Sequence, residues 1–132
     1  MIKILKVQSN KRIELIDITQ EVRNIVSESS ISEGICWLFV PHTTAGITIN
    51  ESADPMVVVD IQEQLNKLIP YHSNYKHLEG NADAHIKSTI TGIDNYCFIE
   101  NGKIMLGTWQ GIFFCEYDGP RERKVLIKII EG

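Results

Sequence analysis

The sequence is short of cysteine, of excess charge and of long apolar runs, and each shortage removes a class of protein. Three cysteines in 132 residues, Cys36, Cys97 and Cys115, with no CxxC pair, do not supply a disulfide framework or a zinc finger. A reducing, cytoplasmic setting is the simpler expectation. A net charge of -4 leaves no general positive field to draw nucleic acid or anionic lipid, so neither nucleic acid nor membrane is expected as a partner. No apolar stretch approaches the roughly 18 residues of a membrane span. The first residues, MIKILKVQSNKRIELIDI, alternate apolar with polar, which is not the pattern of a signal peptide. A GxSxG elbow, a Walker loop and a dinucleotide glycine fingerprint are also missing.

What is present is ordinary in bulk, with 43% apolar and 23% charged residues. That composition excludes disorder and coiled coil, and the length suits one domain, residues 1–132, able to bury about two-thirds of its extended surface. Ile2, Ile4 and Val7, then Ile13, Leu15 and Ile18, follow period two on either side of a polar break and predict a hairpin. Thr19 is a candidate cap for a short helix carrying Val22, Ile25 and Val26. The run ICWLFV, Ile35 to Val40, predicts a strand buried on both faces.

Gly46 to Asn50 reads as a strand, and Asp54-Pro55 opens a helix whose apolar residues repeat from Val57 to Ile69. Residues 71–80 lack periodicity and read as a loop. Asn81 is a candidate cap for a helix to about Thr91, with Gly92 beyond its end and a strand as the competing reading. The remainder is strands: 96–100, a turn at Asn101-Gly102, 103–106, then 112–117 and 123–130 around Asp118-Gly119-Pro120. The fold class is therefore α+β, a largely antiparallel or mixed sheet with about three helices.

Three segments carry candidate chemistry. Pro41-His42-Thr43-Thr44-Ala45-Gly46 joins an imidazole, small polar groups and a glycine at the mouth of a sheet, a composition that lets a ligand approach closely. The plainer alternative is a loop that satisfies its own backbone, with Asp54 acting only as a cap. His72, His77 and His85 crowd into 14 positions; with carboxylates, imidazoles form the ligand set of a divalent transition metal, although this spacing is no zinc signature and solvent-exposed loop histidines are the alternative. Gly107-Thr108-Trp109-Gln110-Gly111 allows close backbone approach, and Arg121 can clamp phosphate or carboxylate, or form only a surface pair with Glu116. Cys115 sits among apolar residues and reads as inert packing.

Taken together, PHTTAGITINESADP, GNADAHIKSTITG and GKIMLGTWQGIFFCEYDGPRER resemble the YjbQ-like family, also described as secondary thiamine-phosphate synthases. The resemblance implies a small α+β subunit assembled as a homotrimer, with a site near subunit contacts. It also implies a metal site at His42, His77 and His85, with zinc the leading ion, while His72 falls outside the motifs. Glu51 and Arg121 are the expected catalytic groups, the first as acid, base or ligand-orienting carboxylate, the second as receiver of an anion. Thr43, Thr44, Asp54, Lys87, Trp109 and Gln110 are the expected substrate contacts. The implied reaction joins a thiazole phosphate to a pyrimidine diphosphate with release of pyrophosphate. Metal-assisted hydrolysis and binding of a metal or small anion without turnover are the alternatives.

Overall fold

The computed structural model describes residues 1–132. In chain order the elements are β1 (Ile2–Gln8), β2 (Glu14–Asp17), α1 (Thr19–Glu28), β3 (Gly34–Phe39), β4 (Ala45–Glu51), α2 (Pro55–Leu68), α3 (Ala82–Thr91), β5 (Asp94–Glu100), β6 (Lys103–Ile104), β7 (Gln110–Glu116) and β8 (Glu122–Glu131). The strands form two sheets, ordered β1-β8-β3-β5-β6 and β2-β7-β4. Every pairing is antiparallel. The α+β class with three helices is as expected, with two sheets in place of one.

The expected N-terminal hairpin does not form. β1 pairs along its whole length with β8, while β2 pairs with β7 in the other sheet. Alternation reports a half-buried strand and is silent about its partner. The crossing is fixed at Ser9, whose N–H donates to the Arg121 carbonyl and whose hydroxyl donates to Glu116 Oε1 at 2.7 Å. The Asn101-Gly102 hairpin does form: both residues have positive φ, 53° and 77°, between the pairs Glu100↔Lys103 and Ile99↔Ile104. Such a turn matches the twist of the flanking strands.

Capping is mixed. Asp54 accepts from the Met56 N–H at 2.9 Å and Pro55 opens α2, as expected. Thr19 does not cap α1; Asp17 accepts its N–H and hydroxyl, and the same hydroxyl accepts the Ile112 N–H. Asn81 precedes α3 without a capping bond, because its amide donates to Asp118 Oδ2. AHIKSTI is helical, and Gly92 follows it with φ 85°.

Packing is layered. Val7, Cys36, Leu38, Cys97, Val125 and Ile127 of the larger sheet face Ile47, Ile112 and Phe114 of the smaller, with Val22 and Val26 of α1 completing the core. The far side of the smaller sheet, at Cys115 and Tyr117, meets Ala84 of α3 and Leu65 of α2. The far side of the larger sheet has no covering layer. Ile2, Ile4, Trp37, Phe39, Tyr96, Phe98 and Ile130 are exposed there, with Trp37 stacked on Tyr96 at 5.5 Å. β3 is thus buried on one face within the chain, where the apolar run predicts burial on both.

Candidate functional site

The segment after β3 is pinned so that His42 stands at the larger sheet's end. Phe39↔Leu126 is the final β3–β8 pair, after which the Val40 N–H turns to the Ile93 carbonyl. Pro41 has no N–H to continue the ladder. Beyond that break His42 supplies an acceptor for β8: Nε2 accepts the Lys124 N–H at 3.1 Å. Burial, and then the positive charge of Arg123, lower the imidazole pKa from its ordinary 6.5. Acceptance at Nε2 requires the neutral ring, so Nδ1 is the nitrogen left for other chemistry.

His42 and Thr43 form a ridge between two clefts. One, of about 480 Å³, is bounded by Phe39, Thr44, Ile93, Arg121 and Arg123. The other, of about 440 Å³, runs to His85, Ser88 and Thr89 on α3. His77 packs edge-on against His85 with ring centroids 5.1 Å apart. The structure therefore gathers His42, Thr43, Thr44, His85, His77 and Arg121 in one region, and leaves His72 outside, stacked on Tyr71. The donors suit zinc in kind, being imidazoles. Their arrangement within one chain does not form a ligand set, since no three His, Cys, Asp or Glu side chains converge as a metal requires.

Sequence reasoning missed the buried ion pair of Arg123 with Glu116 at the edge of this cleft. Arg123 is only 4% exposed. Its Nε lies 2.9 Å and 3.1 Å from the Glu116 oxygens, and Nη2 donates to Glu116 Oε2 at 2.5 Å, the Thr44 hydroxyl at 2.8 Å and the Thr44 carbonyl at 3.2 Å. Burial acts to raise the Glu116 pKa, but the hydrogen bonds from Arg123, Ser9 and the Asp118 N–H outweigh it and hold the carboxyl below its ordinary value. The anticipated Arg121–Glu116 pair is absent; Arg121 donates to the Asp118 carbonyl at 2.9 Å and to Asp118 Oδ2 at 3.1 Å. A signal was available: Arg123 is in phase with Val125 and Ile127, and a cation on the inward face of a strand needs a buried partner.

The remaining candidates lie elsewhere. Glu51 pairs with Gln110 at the opposite end of β4 from Ala45, and the Ser52 N–H donates to the Trp109 carbonyl. Asp54 and Trp109, the latter 64% exposed, belong to that end. Six strand intervals at ~3.4 Å put the two ends about 20 Å apart. Lys87 is fully buried, with Nζ donating to Asn66 at 2.7 Å and to Asp83 at 3.1 Å, and Asp83 is also gripped by Arg12 at 2.7 Å.

The motif glycines admit neighbours from the chain itself. A Cβ on Gly46 would stand 2.6 Å from the Gly92 carbonyl and the Thr91 hydroxyl, and one on Gly111 would stand 2.6 Å from Ser52 Cβ. Gln110 Oε1 accepts the Gly107 N–H at 2.8 Å, closing the TWQ turn. Cys115 is buried and its thiol pushed up to about 12 by burial, which suits inert packing.

Two antiparallel sheets backed by helices, with an imidazole and a held arginine at one mouth, define a small α+β protein with a polar cleft. The family is narrower: residues 3–132 match the model described as UPF0047 protein YjbQ-like, and the chain belongs to that family. It is 55% identical over 125 residues to a UPF0047 protein of Methanocaldococcus jannaschii, covering 95% of this chain and 91% of the relative. It is also 47% identical to UPF0047 protein YugU of Bacillus subtilis, covering 98% and 99%. Among solved structures, a YjbQ/UPF0047 family protein of Clostridium acetobutylicum superposes with TM-score 0.95 at 52% identity, covering 97% and 99%. A YbjQ-like protein of unknown function from Sulfolobus solfataricus superposes with TM-score 0.95 at 36% identity, covering 100% and 97%. No helix is long and apolar enough to cross a membrane.

Proposed function

We propose that the chain is an enzyme acting on a small phosphorylated substrate at the His42 clefts, with thiamine-phosphate synthase chemistry as the reaction to test. In that reaction the thiazole nitrogen attacks the pyrimidine methylene, the C–O bond to the diphosphate breaks, and pyrophosphate leaves with the electron pair. The observation that carries the reading is the placement of a neutral imidazole beside two arginines in one cleft. Fixed cations stabilise a departing anion, and they act most strongly where water is partly excluded.

A metal requirement is a separate part of the proposal. Zinc would draw on His85 and His77, whose rings adjoin, and on His42 across the shared cleft. Metal analysis of the wild type against His42→Ala and His85→Ala tests it, and unchanged metal content in both variants overturns it.

The proposal includes a homotrimer, in which further copies of this chain cover the bare apolar face of the larger sheet. Two features support assembly: the apolar outward residues of β1, β3, β5 and β8, and the distance that separates Glu51 and Trp109 from His42 within one chain. A neighbouring copy is what can bring those groups to one site. Metal-assisted hydrolysis with Glu51 as base needs that same neighbour.

Incubation of the purified protein with the two phosphorylated precursors tests the reaction. Thiamine phosphate and pyrophosphate in equal amounts are expected. Neither product appearing above a protein-free control, with and without added zinc, overturns the synthase assignment.

A further inference from the structure

We infer that Arg123, and not the more exposed Arg121, is the side chain that binds the oxyanion in the His42 cleft, an assignment that rests on the phosphorylated-substrate reading of that cleft. Arg123 is held on two of its three guanidinium nitrogens. Nε and Nη2 are committed to Glu116 and Thr44, and Glu116 is itself held by the Ser9 hydroxyl at 2.7 Å and the Asp118 N–H at 3.0 Å. Nη1 is the nitrogen no protein group accepts from. The single buried side-chain polar atom without a partner anywhere in the chain is Asn81 Oδ1, so Nη1 is not sealed in the interior. Arg123 lines the cleft with His42 and Thr43, and Nη1 is the donor it has left for a ligand there.

A guanidinium fixed in this way presents its donors to an incoming phosphoryl group with little further loss of side-chain freedom. Arg121 has the same two nitrogens engaged, but by a local partner and at the surface. It is half exposed, and its Nε and Nη2 are folded back on Asp118, three residues away. An exposed pair of this kind is weak and screened by salt. Glu116 then acts as a positioning residue, setting the plane of Arg123 without reaching the ligand.

The test uses pyrophosphate as the probe on the intact wild-type protein, read by the arginine side-chain resonances in a 15N-resolved spectrum. The Arg123 guanidinium signals are expected to shift saturably with added pyrophosphate while those of Arg121 hold. The Arg123→Lys variant keeps the charge but has one nitrogen where Glu116, Thr44 and the cleft need several; its affinity for pyrophosphate is expected to fall about tenfold. Thermal unfolding of that variant shows that the comparison is made on folded protein. Shifts at Arg121 with Arg123 unchanged, or binding that moves neither residue, overturn the Arg123 assignment and leave the phosphorylated-substrate reading standing. Absence of pyrophosphate binding to the wild type overturns both.

Discussion

The imidazole Nε2 of His42 accepts the backbone N–H of Lys124 at 3.1 Å, so a side chain completes β8 at the point where β3 has ended. One contact thereby aligns the ring, selects its tautomer and fixes it at the junction of two clefts. In the metal-free protein the neutral form with the proton on Nδ1 is expected to predominate near neutral pH, since burial and the charge of Arg123 lower the imidazole pKa. Long-range 1H–15N correlation reads the tautomer directly, and a proton on Nε2 would contradict the geometry.

Lys87 stands in the AHIKS segment that carries part of the family resemblance, yet it is fully buried against Asp83 and Asn66. Replacing one partner of a buried ion pair is costly, although Arg12 still holds Asp83. Lys87→Met is therefore expected to lower stability by roughly 2–3 kcal/mol while pyrophosphate affinity stays within twofold. Urea unfolding and a binding titration check the two halves, and a large loss of affinity without loss of stability would make Lys87 a ligand contact.

Acid should act through Glu116. Its folded pKa is depressed below the ordinary 4.5, so the folded state binds fewer protons than the unfolded one. The contribution is complete above about 4.5 and is lost as pH falls through the folded value. Glu116→Gln is expected to be less stable near neutrality and to have a flatter stability profile below that pH. An unchanged acid limb in equilibrium unfolding would show that the buried pair carries no linkage.

The outer face of the larger sheet should report assembly. Trp37→Glu places a charge in the aromatic row Trp37–Tyr96–Phe98 and is expected to convert the proposed homotrimer to monomers with the fold retained. Analytical ultracentrifugation with circular dichroism separates that outcome from unfolding. A wild type that sediments as a monomer would overturn the trimer.

The sequence made some of this legible because certain signals are local. Asp54-Pro55 and Asn101-Gly102 act through their own backbone, so the start of α2 and the tight hairpin could be read directly. The partner of β1 could not, because β2 and β8 offer equivalent alternation and the choice depends on contacts more than a hundred residues apart, such as Ser9 with Glu116. The same limit applies to the site. HTTAG and AHIKS led to His42 and His85, which share a cleft. Arg123 was passed over beside the more conspicuous Arg121 because its importance lies in a buried partner on another strand. Glu51 follows His42 by nine positions in the sequence but stands a strand's length away, since β4 is extended between them, and Trp109 lies at the Glu51 end.

A crystal structure of the protein with bound pyrophosphate tests the location of the site most directly. The anion is expected in the cleft between His42 and Arg123, within hydrogen-bond distance of Arg123 Nη1. Pyrophosphate bound away from Arg123, with the His42 cleft holding only water, would contradict that location.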